Sequence, residues 1–329
     1  MRTPVPVDVL PVTSSSVGPA LRGLLAAGAL DLPLPGDGGT LERWQRLAEL
    51  AAADLVLGRL AEAHADALAI RAELGATAAP DVLWGVWAAE APDARLRADQ
   101  EAGGWTLTGR KAWCSGALVL DRALVTALAP DGKRLFAVDV ADLRTVDGTW
   151  AAVGMAASGS VTVELDGAPA EPVGGVSAYL DRPGFWHGGA GVAACWYGGA
   201  LGCARVLLSA VRGGRTDPHT LAHLGAVDAL VTAMAAHLAV AAAQVDDEPT
   251  GAGARLRAVR LRAHVEAGAT EVLDRVGRAL GAGPLCLDPV QAQRAADLPV
   301  YLRQSHAERD LAGLGELATV EATWGGVSW

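Results

Sequence analysis

Several residue types are scarce in this sequence of 329 residues. It has two phenylalanines, three tyrosines and four cysteines, against ten tryptophans and 40 glycines. No two of the cysteines, at positions 114, 195, 203 and 286, are spaced as CxxC. A disulfide framework is therefore not expected, and the pattern is typical of reduced thiols in a cytoplasmic protein.

Positive charge is also in short supply. Lysine and arginine number 27 against 37 acidic residues, which gives a net charge of −10. Such a chain is not expected to hold a nucleic-acid backbone. The prolines near the N-terminus argue against an export signal. The apolar run at 188–210 contains Arg205 and six glycines, and we interpret it as a packed helix rather than a membrane span.

What is abundant defines three regions. Helical periodicity covers about residues 17–77 and 184–329, and short alternating runs cover about 82–175, which predicts domains 1–78, 79–178 and 179–329. Thr40 is the expected N-cap of a helix, and Pro130–Gly132 is the expected hairpin turn. The C-terminal region contains four helical segments, which suggests a bundle. The predicted fold class is α+β, with an N-terminal helical domain, a central antiparallel β-domain and a C-terminal four-helix bundle.

The segment Gly104–Gly116, GWTLTGRKAWCSG, is the most informative motif. Gly109 permits a turn between two short strands, and Trp113 and Ser115 are two positions apart. Side chains two apart on a strand point to the same face, so an indole and a hydroxyl would meet one planar ligand. The alternative is a core tryptophan beside a turn serine.

This segment resembles the β-domain motif of acyl-CoA dehydrogenases, G-x-x-L-x-G-x-K-x-W-x-[ST]. The similarity extends from about Leu47 to Gly313 and includes the helix, β-domain, helix order. It implies FAD as cofactor, with Trp113 beside the flavin ring and Ser115 donating a hydrogen bond near flavin N5. Glu90 corresponds to the Glu of the family's T-E pair, whose neighbouring backbone contacts the flavin; the Thr is replaced by Ala89.

The same resemblance implies a site for the FAD diphosphate. The family uses an R-x-x-F-G segment and a G-G-x-G loop from a neighbouring subunit, which match Arg212 and the glycines Gly281 and Gly283. A guanidinium suits a diphosphate, and an ordinary surface arginine at a helix end is the alternative. Completion of the site between subunits implies a dimer or tetramer.

The catalytic base departs from the family pattern. Asp297 matches the Asp of R-x-x-R-D, but the family's catalytic Glu falls near Ser305 and His306. Glu308 lies three residues beyond Ser305, on the same side of a helix if one continues there. His306 and Glu308 are the candidate catalytic residues, and a site with no base is the alternative. Flavin monooxygenases of the same fold also lack the Glu.

Two other motifs are set aside. GAGVAA at 189–194 fits a dinucleotide fingerprint, yet no strand precedes it. His219 and His223 have helical spacing for a metal pair but no third ligand, so no metal is predicted.

Three functions follow from these observations. The first is dehydrogenation of an acyl thioester, and the second is a flavin monooxygenase or oxidase that uses His306. The third is a protein without turnover that acts as a binding or assembly partner.

Overall fold

The computed structural model describes residues 11–76, 81–251 and 253–321. The domain boundary predicted between residues 78 and 79 lies outside them. Three helices come first: α1 Val17–Ala26, α2 Thr40–Ala53 and α3 Leu55–Glu73. The Asp54 side chain caps α3 by accepting hydrogen bonds from the N–H groups of Val56 and Leu57. The prediction for Thr40 was wrong by one residue, because Gly39 is the cap and Thr40 begins α2.

Seven strands follow: β1 Trp84–Trp87, β2 Leu96–Glu101, β3 Gly104–Cys114, β4 Arg122–Ala129, β5 Gly132–Asp139, β6 Arg144–Val146 and β7 Val161–Val173. The pairing order β4-β2-β3-β7-β5 returns to β4, so the sheet closes into a small barrel. The sheet is mainly antiparallel, as predicted, but β1 and β2 both pair with β4 in parallel. The predicted turn at Pro130–Gly132 does join β4 to β5.

Gly109 does not form the predicted turn. β3 runs through it as one strand, and its register against β7 shifts between Leu107 and Gly109. Gly109 has a φ of 129°, and a Cβ there would collide with the carbonyl oxygen of Arg95. The glycine therefore permits an irregularity in a continuous strand, where only a residue without a side chain fits.

The remainder is helical: α4 Ala178–Asp181, α5 Gly184–Arg212, α6 Pro218–Asp247, α7 Ala254–Leu280, α8 Gly283–Leu287, α9 Pro289–Leu302 and α10 Glu308–Glu321. The fourth predicted helical segment is interrupted between α9 and α10. The GAGVAA motif lies inside α5 rather than between a strand and a helix, which agrees with setting it aside. The order helix, strand, helix is as predicted, whereas the division into three domains remains a prediction.

Two described helices, α5 and α6, are long and apolar enough to cross a membrane by length and composition. In α5, 72% of the most apolar window is buried inside the protein. Its buried Trp196 belongs to the main core, together with Trp44 of α2 and Leu298 of α9. The apolarity of α5 is therefore explained by its central position in the helical core.

Candidate functional site

Trp113 is an exposed indole on a constrained backbone. The residue retains 52% of its accessible surface. Its φ is 57°, and the β3–β7 register shifts between Lys111 and Cys114. A bulky residue in the left-handed region costs free energy, about 1 to 2 kcal/mol. The fold thus holds a large flat side chain towards solvent at some cost, and such positions concentrate at ligand-binding sites.

Ser115 follows the end of β3 rather than lying within it. The prediction that its side chain shares a strand face with Trp113 assumed a regular strand. The register shift between Lys111 and Cys114 interrupts that regularity just before Ser115. The Ser115 hydroxyl oxygen accepts a hydrogen bond from Ser160 Oγ at 2.9 Å. A hydroxyl both donates and accepts, so Ser115 can accept from Ser160 while its own proton turns to a ligand. The arrangement suits a hydroxyl that donates to a ligand.

Ser160 continues a short chain of hydroxyls towards α9. Its Oγ lies 2.7 Å from Ser158 Oγ, which donates to the Met155 carbonyl oxygen at 2.6 Å. The Met155 N–H in turn donates to Asp297 Oδ1 at 2.5 Å. Burial raises the pKa of Asp297 to about 6, and the hydrogen bond from Met155 opposes that rise. Asp297 therefore connects α9 to the turn that supports Ser115.

Glu90 lies in the segment after β1, where it faces both lysines of the sequence. Its Oε1 is 3.6 Å from Lys111 Nζ and 3.3 Å from Lys133 Nζ, and it accepts a hydrogen bond from Thr126 Oγ1. Partial burial by itself raises the pKa of Glu90, but the two ammonium groups outweigh it and lower the value. The pKa of buried Lys111 is lowered by burial. The Glu90 carboxylate thus compensates the positive charges of Lys111 and Lys133 next to the strand that carries Trp113.

The two segments that contain the predicted diphosphate residues are in contact with each other. Arg212 is the last residue of α5, Gly281 follows α7 with a φ of 69°, and Gly283 begins α8. Arg215, three residues after Arg212, donates from Nη1 to the Leu280 carbonyl oxygen at 3.4 Å. The two segments predicted to hold a diphosphate are therefore adjacent within one chain. Their role in binding a cofactor remains a prediction.

The candidate base lies where the chain breaks between α9 and α10. His306 is exposed, with its Nδ1 3.3 Å from Asp310 Oδ1, and its backbone N–H donates to Asp310 Oδ2 at 2.9 Å. The helix does not continue through Ser305, so the expectation that Glu308 shares a helix face with it was wrong. Glu308 instead begins α10. Of the two candidate bases, His306 is the one whose side chain is oriented by a partner, Asp310.

The structure therefore joins some predicted residues and leaves others apart. Ser115 is connected to α9 through hydrogen bonds, and Arg215, in the segment that begins at Arg212, bonds to Leu280, the residue before Gly281. Among the described residues, no hydrogen bond or ion pair connects His306 to Ser115. Sequence reasoning missed Ser158 and Ser160 as support for Ser115. The only available signal was that the two serines lie two residues apart just before β7. That spacing does not indicate a contact with Ser115.

Comparisons by sequence give no relative. No protein-family model matches the chain, and no curated protein matches it.

Comparison by structure gives many similar chains. Methanesulfinate monooxygenase MsuC from Pseudomonas fluorescens is 17% identical with a TM-score of 0.77, and 94% of each chain is covered. Dibenzothiophene monooxygenase TdsC from Paenibacillus sp. A11-2 is 19% identical with a TM-score of 0.72, over 92% of this chain and 95% of TdsC. A nitrososynthase from Micromonospora carbonacea var. africana is 18% identical with a TM-score of 0.73, over 98% and 99%.

Matches at 17 to 19% identity establish the fold rather than the reaction. They cover nearly the whole chain, from the N-terminal helices through the barrel to the C-terminal helices. The chain adopts the acyl-CoA dehydrogenase fold, as its β-domain motif predicted.

Proposed function

We propose that the protein is a flavin-dependent oxidoreductase that binds its cofactor against Trp113 and Ser115. The support is local. An exposed indole is held in a costly conformation, and a hydroxyl that can donate to a ligand lies two residues further on. A flat ring system that accepts a hydrogen bond at its edge matches both groups, as flavin does.

For the reaction, we infer monooxygenation or oxidation rather than dehydrogenation of an acyl thioester. The observation that carries this inference is the loop between α9 and α10. At the place where the family has a catalytic carboxylate, this chain has Ser305 and His306, and Asp310 orients the imidazole. Dehydrogenation of an acyl thioester removes an α-proton from the substrate. A positioned base commonly accelerates such a proton transfer by 10²–10⁴-fold.

Two of the structural neighbours support the same choice. TdsC is described as a dibenzothiophene monooxygenase and has been crystallised with FMN and indole. MsuC is described as a methanesulfinate monooxygenase. The proposed substrate is accordingly a small organic molecule rather than a CoA thioester.

In this proposal each residue has a limited task. A reduced flavin, once bound, supplies the activation of dioxygen. Trp113 orients the ring by contact, and Ser115 donates a hydrogen bond to its edge. His306, held by Asp310, would exchange a proton with the substrate. Glu90 compensates the charge of the buried Lys111 ammonium next to the strand that carries Trp113.

The choice between FAD and FMN depends on the second segment. FAD is favoured if Arg212, Gly281 and Gly283 hold a diphosphate, since FMN has none. In the family this contact is made across subunits, so FAD binding and self-association are expected together.

The test is a flavin titration of the purified, flavin-free protein, followed by absorbance and fluorescence. We expect saturable uptake of FAD or FMN. Replacing Ser115→Ala removes one hydrogen bond, worth about 1 kcal/mol, and should weaken flavin affinity roughly five-fold. Thr108→Ala, in β3, is the matched control and should leave affinity unchanged, because its hydroxyl accepts from the N–H of Gly167.

Anaerobic addition of octanoyl-CoA to the flavin-loaded protein separates the reactions. Bleaching of the flavin would show acyl-CoA dehydrogenation and contradict the proposed reaction; an unchanged spectrum is expected. A protein that takes up neither FAD nor FMN would overturn every flavoenzyme proposal and leave the binding or assembly role.

A further inference from the structure

A cavity of about 400 Å³ lies between α5, α9 and the end of α2. None of the residues predicted to bind flavin lines it. Its polar lining consists of Arg205, Ser209, Asp288 and Arg294, and its apolar lining includes Val206 and Val290. A volume of this size is within the range of small-molecule sites, which are about 300–1,000 Å³.

Arg294 is a buried cation that forms no ion pair at 4.0 Å or less in the described part of the chain, although it lowers the pKa of Asp297 through space. It is 9% exposed. Its guanidinium donates to neutral acceptors, the Gln291 side-chain oxygen at 3.2 Å and the Ala52 carbonyl oxygen at 3.0 Å. Asp297, one turn further along α9, accepts hydrogen bonds from Met155 and Gln293 instead. Buried charges are normally paired, so this guanidinium calls for an anion.

Arg205 adds a second positive charge at the mouth of the cavity. It and Ser209 are four residues apart on α5, so they occupy one face of that helix, and both line the space. Within the described residues, Arg205 forms no ion pair at 4.0 Å or less. The acid in the lining, Asp288, has an oxygen engaged by the N–H groups of Val290 and Gln291 at the start of α9.

We propose that this cavity binds a small organic anion, with a carboxylate or phosphate head between Arg205 and Arg294. Ser209 donates a further hydrogen bond to the head, and Val206 and Val290 contact an apolar body. Two arginines and one aspartate leave one net positive charge in the lining. Guanidinium groups bind both head groups well because their N–H donors match paired oxygens.

The proposal does not rest on flavin binding. The lining contains none of Glu90, Trp113, Ser115, Arg212, Gly281 and Gly283, but Ser209 and Ala210 come just before Arg212 on α5, so competition with flavin is part of the test. A protein that fails to bind flavin leaves the anion site to be judged by its own experiment.

The experiment is isothermal titration calorimetry of the full chain with three probes: sodium hexanoate, inorganic phosphate and the neutral hexan-1-ol. We expect saturable binding of hexanoate or phosphate, and at least ten-fold weaker binding of hexan-1-ol. Binding of hexanoate identifies a carboxylate head, and binding of phosphate alone identifies a phosphate head.

Variants locate the site. Arg205→Gln, at an exposed position, is expected to weaken anion binding at least ten-fold, whereas Arg278→Gln, a surface arginine on α7 paired with Asp274, should leave it unchanged. Arg294→Met should also abolish binding; if it does not fold, Arg205→Gln decides alone. Lack of saturation by either anion, or unchanged binding in Arg205→Gln, would overturn the proposal. Competition between FMN and the anion would do so too, since the cavity would then belong to the flavin site.

Discussion

At the residue scale, charge and backbone strain are concentrated around the strand that carries Trp113. The indole is exposed with its backbone in the left-handed region, while Lys111, two residues earlier, is buried. Glu90 and Thr126 contact the Lys111 ammonium, so the buried charge is compensated. The strand thus combines a fixed polar underside with a ring presented to solvent, an arrangement suited to a flat ligand.

Asp297 gives a pH-dependent prediction. Its folded pKa of about 6 exceeds its ordinary value of 3.8 because the carboxyl is buried. The folded chain therefore binds more protons than the unfolded chain between about pH 4 and pH 6. The contribution of the protonated carboxyl to stability is complete below that window and is lost as pH rises through it, by up to about 3 kcal/mol.

Urea unfolding of the wild type and Asp297→Asn across this window measures the effect. The amide of the variant keeps an oxygen to accept from Met155 and does not titrate, so the wild type should lose stability relative to the variant as pH rises. Asp121→Asn is the control of opposite sign, because the hydrogen bond from Arg22 lowers the pKa of Asp121. Parallel pH profiles for wild type and Asp297→Asn would contradict the assigned pKa.

At the element scale, glycines decide how closely α5 approaches its neighbours. A Cβ on Gly198 would collide with the carbonyl oxygen of Ala48 in α2, and one on Gly199 would meet Leu55 and Leu298. Gly202 lies against the Arg294 side chain and the Ala52 carbonyl. The glycine content of α5 therefore reflects helix packing, which also places Arg294 beside the cavity.

Replacement of Gly198 by alanine tests this packing. The new methyl group meets backbone, which cannot move away cheaply, so Gly198→Ala should destabilise the protein by about 1 to 3 kcal/mol. Gly277→Ala in α7 is the matched control, since nothing lies within 4 Å of its Cβ. That variant should gain about 0.5 to 1 kcal/mol through helix propensity. Equal changes in the two melting curves would contradict the role assigned to Gly198.

At the scale of the whole molecule, one large apolar core joins the helices to the barrel. Val163 of β7, Trp196 of α5 and Leu298 of α9 all belong to it. The apolar helix α6 differs from α5, because only 28% of its most apolar window is buried. Val240 on this helix is 57% exposed. An apolar surface of this kind is a common site of protein association.

We therefore expect the chain to self-associate into a dimer or tetramer, with α6 at the contact. Val240→Glu places a charge on that surface and should shift the sedimentation profile towards the monomer. Val153→Glu, at a position 78% exposed outside the helices, is the matched control and should not alter it. A wild-type protein that sediments as a monomer at micromolar concentration would contradict the prediction.

The site was predictable where it depends on short segments. GWTLTGRKAWCSG identified Trp113 and Ser115, and both lie at one end of β3. The turn expected at Gly109 failed because a glycine in a strand signals a turn or a bulge equally well, and only the partner strand distinguishes them. Likewise, no local signal marked the break between α9 and α10. There Arg262 of α7 donates a hydrogen bond to the Gln304 carbonyl oxygen, a contact between distant parts of the sequence.

The sequence by itself determined the order of elements and the fold, because periodicity and the β-domain motif are encoded over a few residues. Tertiary structure decided which residues meet: Ser160 with Ser115, Asp297 with Met155, and Arg294 with an open cavity. These contacts join positions up to 142 residues apart. They depend on helix approach distances set by glycines and on closure of the barrel, neither of which is expressed in any single stretch of sequence.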